Sequence, residues 1–152
     1  IPLIPSGEKR QESTSGLQLP SERSFNWAGK KILIVEDSRM AHELIKKLLR
    51  GTHAEFKLET DGKSAVERCK NDDSIDLVLM DIQLPFVDGY TATRQIKEAR
   101  PHLPVISQTA NAMSDDRNKA IQAGCDDYIA KPIDREELSM KIDALLFPDR
   151  NS

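Results

Sequence analysis

The chain has 152 residues, of which 38% are hydrophobic and 31% charged, with a formal net charge of −3. That is room for one domain with a genuine core plus a tail, in a globular rather than a disordered composition. Both signs of charge are interspersed, which leaves no basic face for nucleic acid or an anionic membrane, and no apolar run approaches the ~18 residues of a spanning helix.

The chain opens on Ile-Pro-Leu-Ile-Pro, an apolar scrap that reads as the end of a strand whose partners lie elsewhere. It carries neither the basic start nor the length of a signal peptide and no initiator Met, so a piece of a longer protein is expected. Residues 6–24 are rich in Ser, Glu, Gly, Gln and Pro without period, which is linker composition. Phe25 and Trp27 follow and are expected to anchor that linker on the domain surface. Residues 1–29 thus read as a linker or tail from a preceding domain, 30–148 as one domain, and 149–152 as a C-terminal tail.

From Lys31 onward strand and helix signals alternate. Strands read at 31–35, 54–59, 77–80, 104–108 and 127–130. The first helix shows Met40, Leu44 and Leu48 with Ile45 and Leu49 at helical spacing. Asp61-Gly62 and Asp88-Gly89 are turn signals ahead of the second and third helices. The fourth helix, 115–123, is short and polar, and its mixed charges at 115–119 read as a solvated face. The last shows Leu138, Ile142, Leu145 and Leu146, with Asp134 as N-cap and Glu137 as its capping-box partner. The strand 54–59 alternates Glu55, Lys57 and Glu59 and belongs at a sheet edge. The others are nearly all apolar, as parallel strands covered on both faces must be. Five such βα units predict an α/β fold, a doubly wound, flavodoxin-like (βα)5 sandwich with parallel strand order 2-1-3-4-5.

Open α/β sheets bind ligands beyond the carboxyl ends of their strands. The first strand ends in Glu36-Asp37, the third in Asp81, the fourth in Thr109 and the fifth in Lys131-Pro132. Polar residues at any one strand end meet solvent and need no function, but this set assembles on one rim. Three carboxylates drawn together with Lys131 as the single counter-cation among the strand ends call for a hard divalent cation with oxygen ligands. Mg2+ fits, with the Gln83 main-chain carbonyl as a further ligand. Beside such a cation a carboxylate is a nucleophile toward a phosphoryl group, whose oxygens Lys131, Thr109 and backbone amides can neutralise.

Glu36-Asp37, Asp81 with Pro85 and Asp88-Gly89, Thr109-Ala110, Lys131-Pro132 and the lead-in Gly124-Cys125-Asp126-Asp127-Tyr128 resemble the signature of two-component receiver domains, in register over about 30–148. The resemblance implies Asp81 as phospho-acceptor, Glu36 and Asp37 as metal-binding acids, Thr109 and Lys131 as phosphate readers, and Tyr128 as the aromatic that moves with Thr109. It also implies a cis Lys131-Pro132 bond. The partner would be a histidine kinase or a histidine phosphotransfer domain, with catalysis confined to the chain's own phosphorylation and dephosphorylation. The Trp27-Ala28-Gly29-Lys30-Lys31 lead-in and Thr109-Ala110-Asn111-Ala112-Met113 are similar to receivers fused behind sensor histidine kinases. With the chain stopping soon after the last helix, the expectation is the C-terminal receiver of a hybrid kinase. A stand-alone response regulator is the alternative. Two positions depart from the pattern, Gln108 where an apolar residue is usual and Phe86-Val87 in the loop after Asp81.

Other readings compete less well. An aspartyl-nucleophile phosphatase wants a second Asp two residues after the first, where this chain has Gln83, and a flavin site would be repelled by Glu36-Asp37. His42, His53 and His102 are expected as surface or loop residues. Cys69 and Cys125, placed in separate helical regions, match no metal spacing and are expected reduced, in a cytoplasmic setting.

Overall fold

The computed structural model describes residues 24–110 and 114–151, so the expectation for the apolar scrap at the start lies outside the described residues. Strands β1 (Lys31–Val35), β2 (Glu55–Glu59), β3 (Leu77–Asp81), β4 (Val105–Thr109) and β5 (Asp127–Ala130) alternate with helices α1 (Arg39–Leu48), α2 (Gly62–Asn71), α3 (Gly89–Ala99), α4 (Ser114–Ala123) and α5 (Arg135–Leu146). A four-residue helix, α6 (Pro148–Asn151), follows. The strands form one parallel sheet in the order β2-β1-β3-β4-β5, as expected for a doubly wound fold. The edge placement of the charged strand β2 also holds. The third and fourth strands each run one residue further than expected and take Asp81 and Thr109 into the sheet.

Side-chain alternation along the strands builds two cores. Ile32, Ile34, Leu77, Leu79, Ile106 and Ile129 face α1 and α5, where Ile45, Leu49, Leu138, Ile142 and Leu146 meet them. Leu33, Val35, Val78, Met80 and Val105 face α2 and α3, where Ala65, Val66, Cys69, Ala92 and Ile96 cover them. Cover on both faces is why these strands read as continuous apolar runs. Helices begin where carboxylates or hydroxyls accept the first free amides: Ser38 from Ala41, Asp61 from Ser64, Asp88 from Thr91 and Asp134 from Glu137. The Glu137 carboxylate lies 3.7 Å from Lys141 Nζ, and the Asp134 side chain caps α5.

Four local expectations are corrected. Trp27 is fully buried in the α1/α5 core rather than on the surface. Its Nε1 donates to Asp143 Oδ1 at 2.9 Å, its amide donates to the Thr52 carbonyl at 2.6 Å, and the Phe25 ring lies 5.7 Å away. On α1 the buried stripe is His42, Ile45 and Leu49, while Met40 and Leu44 face outward. Two apolar stripes run side by side on this helix and the core takes only one. His42 is therefore a buried residue, not a surface one. Cys125 sits in the turn after α4 rather than in a helix, beside the Ser107 hydroxyl. Both cysteines are free, and burial pushes the Cys69 thiol up to about 11.

Candidate functional site

The site lies on the carboxyl ends of the strands, and each of its parts arrives there for a local reason. Asp81 is the last residue of β3 and buried, held as an acceptor by the Gln83 amide at 3.0 Å. Glu36 directly follows β1, is also buried, and accepts from the Ser38 amide at 3.1 Å. Asp37 beside it is exposed. Gly89 lets the first turn of α3 approach: a Cβ there would come within 2.7 Å of the Ile82 Cα. Any larger residue would push α3 off the Asp81 backbone.

Carboxylate oxygens of Glu36, Asp37 and Asp81 all lie within 4.8 Å of one another. Lys131 reaches them from the far side of β4, its Nζ 3.4 Å from Asp81 Oδ2 and 3.6 Å from Glu36 Oε2. The Lys131-Pro132 bond is cis, as expected, and the Lys131 amide donates to the Thr109 carbonyl at 2.8 Å. Thr109 is buried, and its hydroxyl has no hydrogen-bond partner among the described residues. Gln83 has its main chain beside Asp81 through that amide bond. Tyr128 pairs with Ser107 in the sheet, so it shares the face of Thr109, two residues along β4. The Tyr128 ring is half-buried between the Arg117 guanidinium at 5.9 Å and the Lys141 ammonium at 5.3 Å. Glu36, Asp37, Asp81 and Lys131 are thus brought together on one rim, with Thr109 at the end of the neighbouring strand and Tyr128 further down the sheet.

Three acids face one ammonium here, and the imbalance shows in Glu36. Burial first, then its hydrogen bond and charge repulsion with Asp81, raise its carboxyl to about 7, against the opposing pull of the Ser38 amide and Lys131. Its Oε2 lacks a hydrogen-bond partner among the described residues. An all-oxygen donor set, two members buried and one open to solvent, suits a hard divalent cation that keeps waters on its open side.

The raised Glu36 carboxyl has a consequence for stability. Between about pH 4.5 and 7 the folded chain keeps a proton that the unfolded chain has lost, so stability falls as pH rises through that window. Solvent reaches this rim through Asp37, and the expected loss is on the order of 1–2 kcal/mol. Urea titrations at pH 5 and 7.5 without divalent cation should show it, and Glu36→Gln should flatten it. A wild-type chain as stable at pH 7.5 as at pH 5 contradicts this account of Glu36.

Comparison with known proteins decides the family. Residues 32–143 match the family described as the response regulator receiver domain. The chain belongs to that family. The receiver is 40% identical over 113 residues to hybrid signal transduction histidine kinase G of Dictyostelium discoideum, an alignment covering 71% of this chain and 3% of that protein. Among solved structures it resembles the receiver domain of sensor histidine kinase PA1611 from Pseudomonas aeruginosa PAO1, crystallised with a magnesium ion coordinated in the active-site cleft. Identity there is 39%, with a TM-score of 0.72 and coverage of 78% of this chain and 98% of that one. It also resembles the receiver of the response regulator Ssk1 in its complex with the histidine phosphotransfer protein Ypd1 from Saccharomyces cerevisiae. There identity is 29%, TM-score 0.72, and coverage 78% and 90%. The match to the Dictyostelium kinase is to a small part of a far longer protein. The receiver is therefore a module of two-component phosphorelay signalling, and among its described residues no helix is long and apolar enough to cross a membrane.

The sequence reading missed the burial of His42 and the exposure of Phe86. His42 is buried near the site's end of α1 with Nε2 unpartnered among the described residues. Phe86, in the loop after Asp81, is fully exposed in a left-handed conformation, φ 68°. Its departure from the usual residue types was the available signal for Phe86. Nothing local marked His42.

Proposed function

We propose that this receiver takes a phosphoryl group from a phosphohistidine onto Asp81 with Mg2+ and then alters its surface for a partner. The observation that carries the reading is the meeting of Glu36, Asp37 and Asp81 within 4.8 Å with Lys131 against Asp81. Mg2+, held by those three carboxylates with the Gln83 carbonyl, would supply neutralisation of acid and phosphoryl charge. An Asp81 carboxylate oxygen forms the new O–P bond as the donor's N–P bond breaks. The imidazole leaves with the electron pair. Lys131 and the Thr109 hydroxyl take phosphoryl oxygens. Later attack of water on phosphorus returns the carboxylate and releases inorganic phosphate.

The donor in this proposal is a histidine kinase or histidine phosphotransfer domain, the setting a hybrid kinase, and the compartment the cytoplasm. Support for a helical docking partner comes from the apolar fringe beside the rim, with Phe86 100% and Met40 83% exposed and Leu44 one turn further along α1. The switch runs through the Thr109 face. Phosphorylation draws the Thr109 hydroxyl toward the new oxygens, and Tyr128, on the same face, moves into the space behind it. The energy involved is modest, about 1–3 kcal/mol, so a population shift is expected rather than a rebuilt fold.

The test is amide NMR of wild type and Thr109→Ala, first with millimolar Mg2+ and then with beryllofluoride, a phosphoryl mimic. Mg2+ should move Asp37 and Asp81 in both. Beryllofluoride should move the 109–131 region in wild type and less completely in the variant. Amides at Asp37 and Asp81 that ignore Mg2+ would sink the metal site, and equal shifts in both proteins would sink the coupling.

A further inference from the structure

Five buried side-chain nitrogen or oxygen atoms lack a hydrogen-bond partner among the described residues: Glu36 Oε2, His42 Nε2, Thr109 Oγ1 and both ends of the Gln108 carboxamide. Four of them stand at the rim, and Gln108 accounts for two. Gln108 is 1% exposed, at a place in β4 where its neighbours Ile106 and Ile129 build the α1/α5 core. An apolar side chain would fill that place without leaving amide groups unpaired, so the unpaired carboxamide needs a reason.

The sheet register supplies one. Val35 pairs with Met80, which brings the next residues, Glu36 and Asp81, level with each other. Asp81 pairs with Gln108, and Gln108 with Ile129. By alternation Glu36, Asp81, Gln108 and Ile129 project from one face, as Ile34, Leu79 and Ile106 do two residues earlier. Lys131 is two residues past Ile129 and shares that face. To bring Nζ to 3.4 Å from Asp81, its side chain must cross from β5 over β4, the strand that carries Gln108. Gln108 therefore stands on the strand that the Lys131 side chain crosses, as the sheet partner of Asp81.

We propose that Gln108 is a positioning residue for phosphoryl transfer, its carboxamide oxygen accepting from the Lys131 ammonium once Asp81 is loaded and so fixing that ammonium on a phosphoryl oxygen. This rests on the function proposed above. In the unloaded site Lys131 is drawn toward two carboxylates at 3.4 and 3.6 Å. Loading changes the charge that Lys131 faces. A fixed acceptor beneath it then selects one of the positions open to a flexible lysine. Gln108 pairs with Asp81 in the sheet, so its NH2 group would be free to donate to the loaded residue's carbonyl oxygen.

The experiment compares the whole chain with Gln108→Met, which keeps length and removes both hydrogen-bonding atoms. Beryllofluoride is titrated at saturating Mg2+, with the Asp81 amide and the Gln108 side-chain NH2 signals followed by NMR and thermal unfolding measured in parallel. The wild-type Gln108 NH2 signals should shift on loading. Gln108→Met should need about tenfold more beryllofluoride, the effect of one hydrogen bond to a charged group, with Mg2+ response unchanged and an unfolding midpoint equal or higher. Unmoved Gln108 signals, or unchanged beryllofluoride demand in the variant, overturn the proposal. So does a lowered midpoint with unchanged demand, which assigns Gln108 to packing alone. A wild-type Asp81 amide that ignores beryllofluoride overturns this proposal and the function beneath it together.

Discussion

Asp81→Asn is expected to take phosphoryl incorporation to background, a fall of roughly a thousandfold or more, because the amide offers no nucleophilic oxygen. The substitution is nearly isosteric and should not unfold the chain. Asp81 is one of the groups that raise the Glu36 carboxyl, by hydrogen bond and by charge. Neutralising it lets Glu36 ionise more readily beside Lys131, so the variant should be at least as stable as wild type at neutral pH. The measurement is incubation with the cognate kinase and labelled ATP, with unfolding curves on the same samples. Label retained by a folded Asp81→Asn chain would remove Asp81 as the acceptor.

The second large effect is structural. Trp27→Ala should cost about 3–5 kcal/mol, the usual range for emptying a large aromatic site in a core. Trp27 fills the end of the α1/α5 core, and its indole N–H bonds the buried Asp143 carboxylate on α5. Typical domains hold only ~5–15 kcal/mol of stability in all, so the variant should unfold at far lower urea with little change in slope. Trp27→Phe keeps most of the volume and should lose considerably less. A shift under about 1 kcal/mol in Trp27→Ala would contradict the packing described for this residue.

These two residues also mark what was legible in the sequence. Asp81 was readable because parallel strands announce themselves as short apolar runs, and the chemistry of this fold sits where such runs stop. Glu36, Thr109 and Lys131 stand out in the same way, and alternation of five runs with helical segments predicts a doubly wound parallel sheet, while its strand order comes from the known fold of that class. Trp27 precedes the first run and belongs to no periodic pattern. Its partner Asp143 is 116 positions away, a distance no local window spans. On α1, Met40, Leu44 and Leu48 are spaced as regularly as Ile45 and Leu49. Which stripe turns inward is decided by Ile34 and Leu79 on the sheet and by Leu138 on α5, not by the helix itself. His42 went inward with the winning stripe.

The two borders of the sheet limit how this domain can be held by others. Extended peptides often bind by adding a strand to an open border, trading main-chain hydrogen bonds with it. At β2 that approach meets Glu55 and Lys57, 3.2 Å apart, and Glu59 bonded to Arg68 at 2.5 Å. At β5 the border is four residues long, and Lys141 closes on Asp127 at 3.1 Å while Lys141 and Arg117 both lie against the Tyr128 ring. Charged and short borders of this kind discourage strand addition and fibre-like stacking. Strand addition is thereby disfavoured at both borders, which leaves the helices and loops of the domain as the surfaces open to a partner.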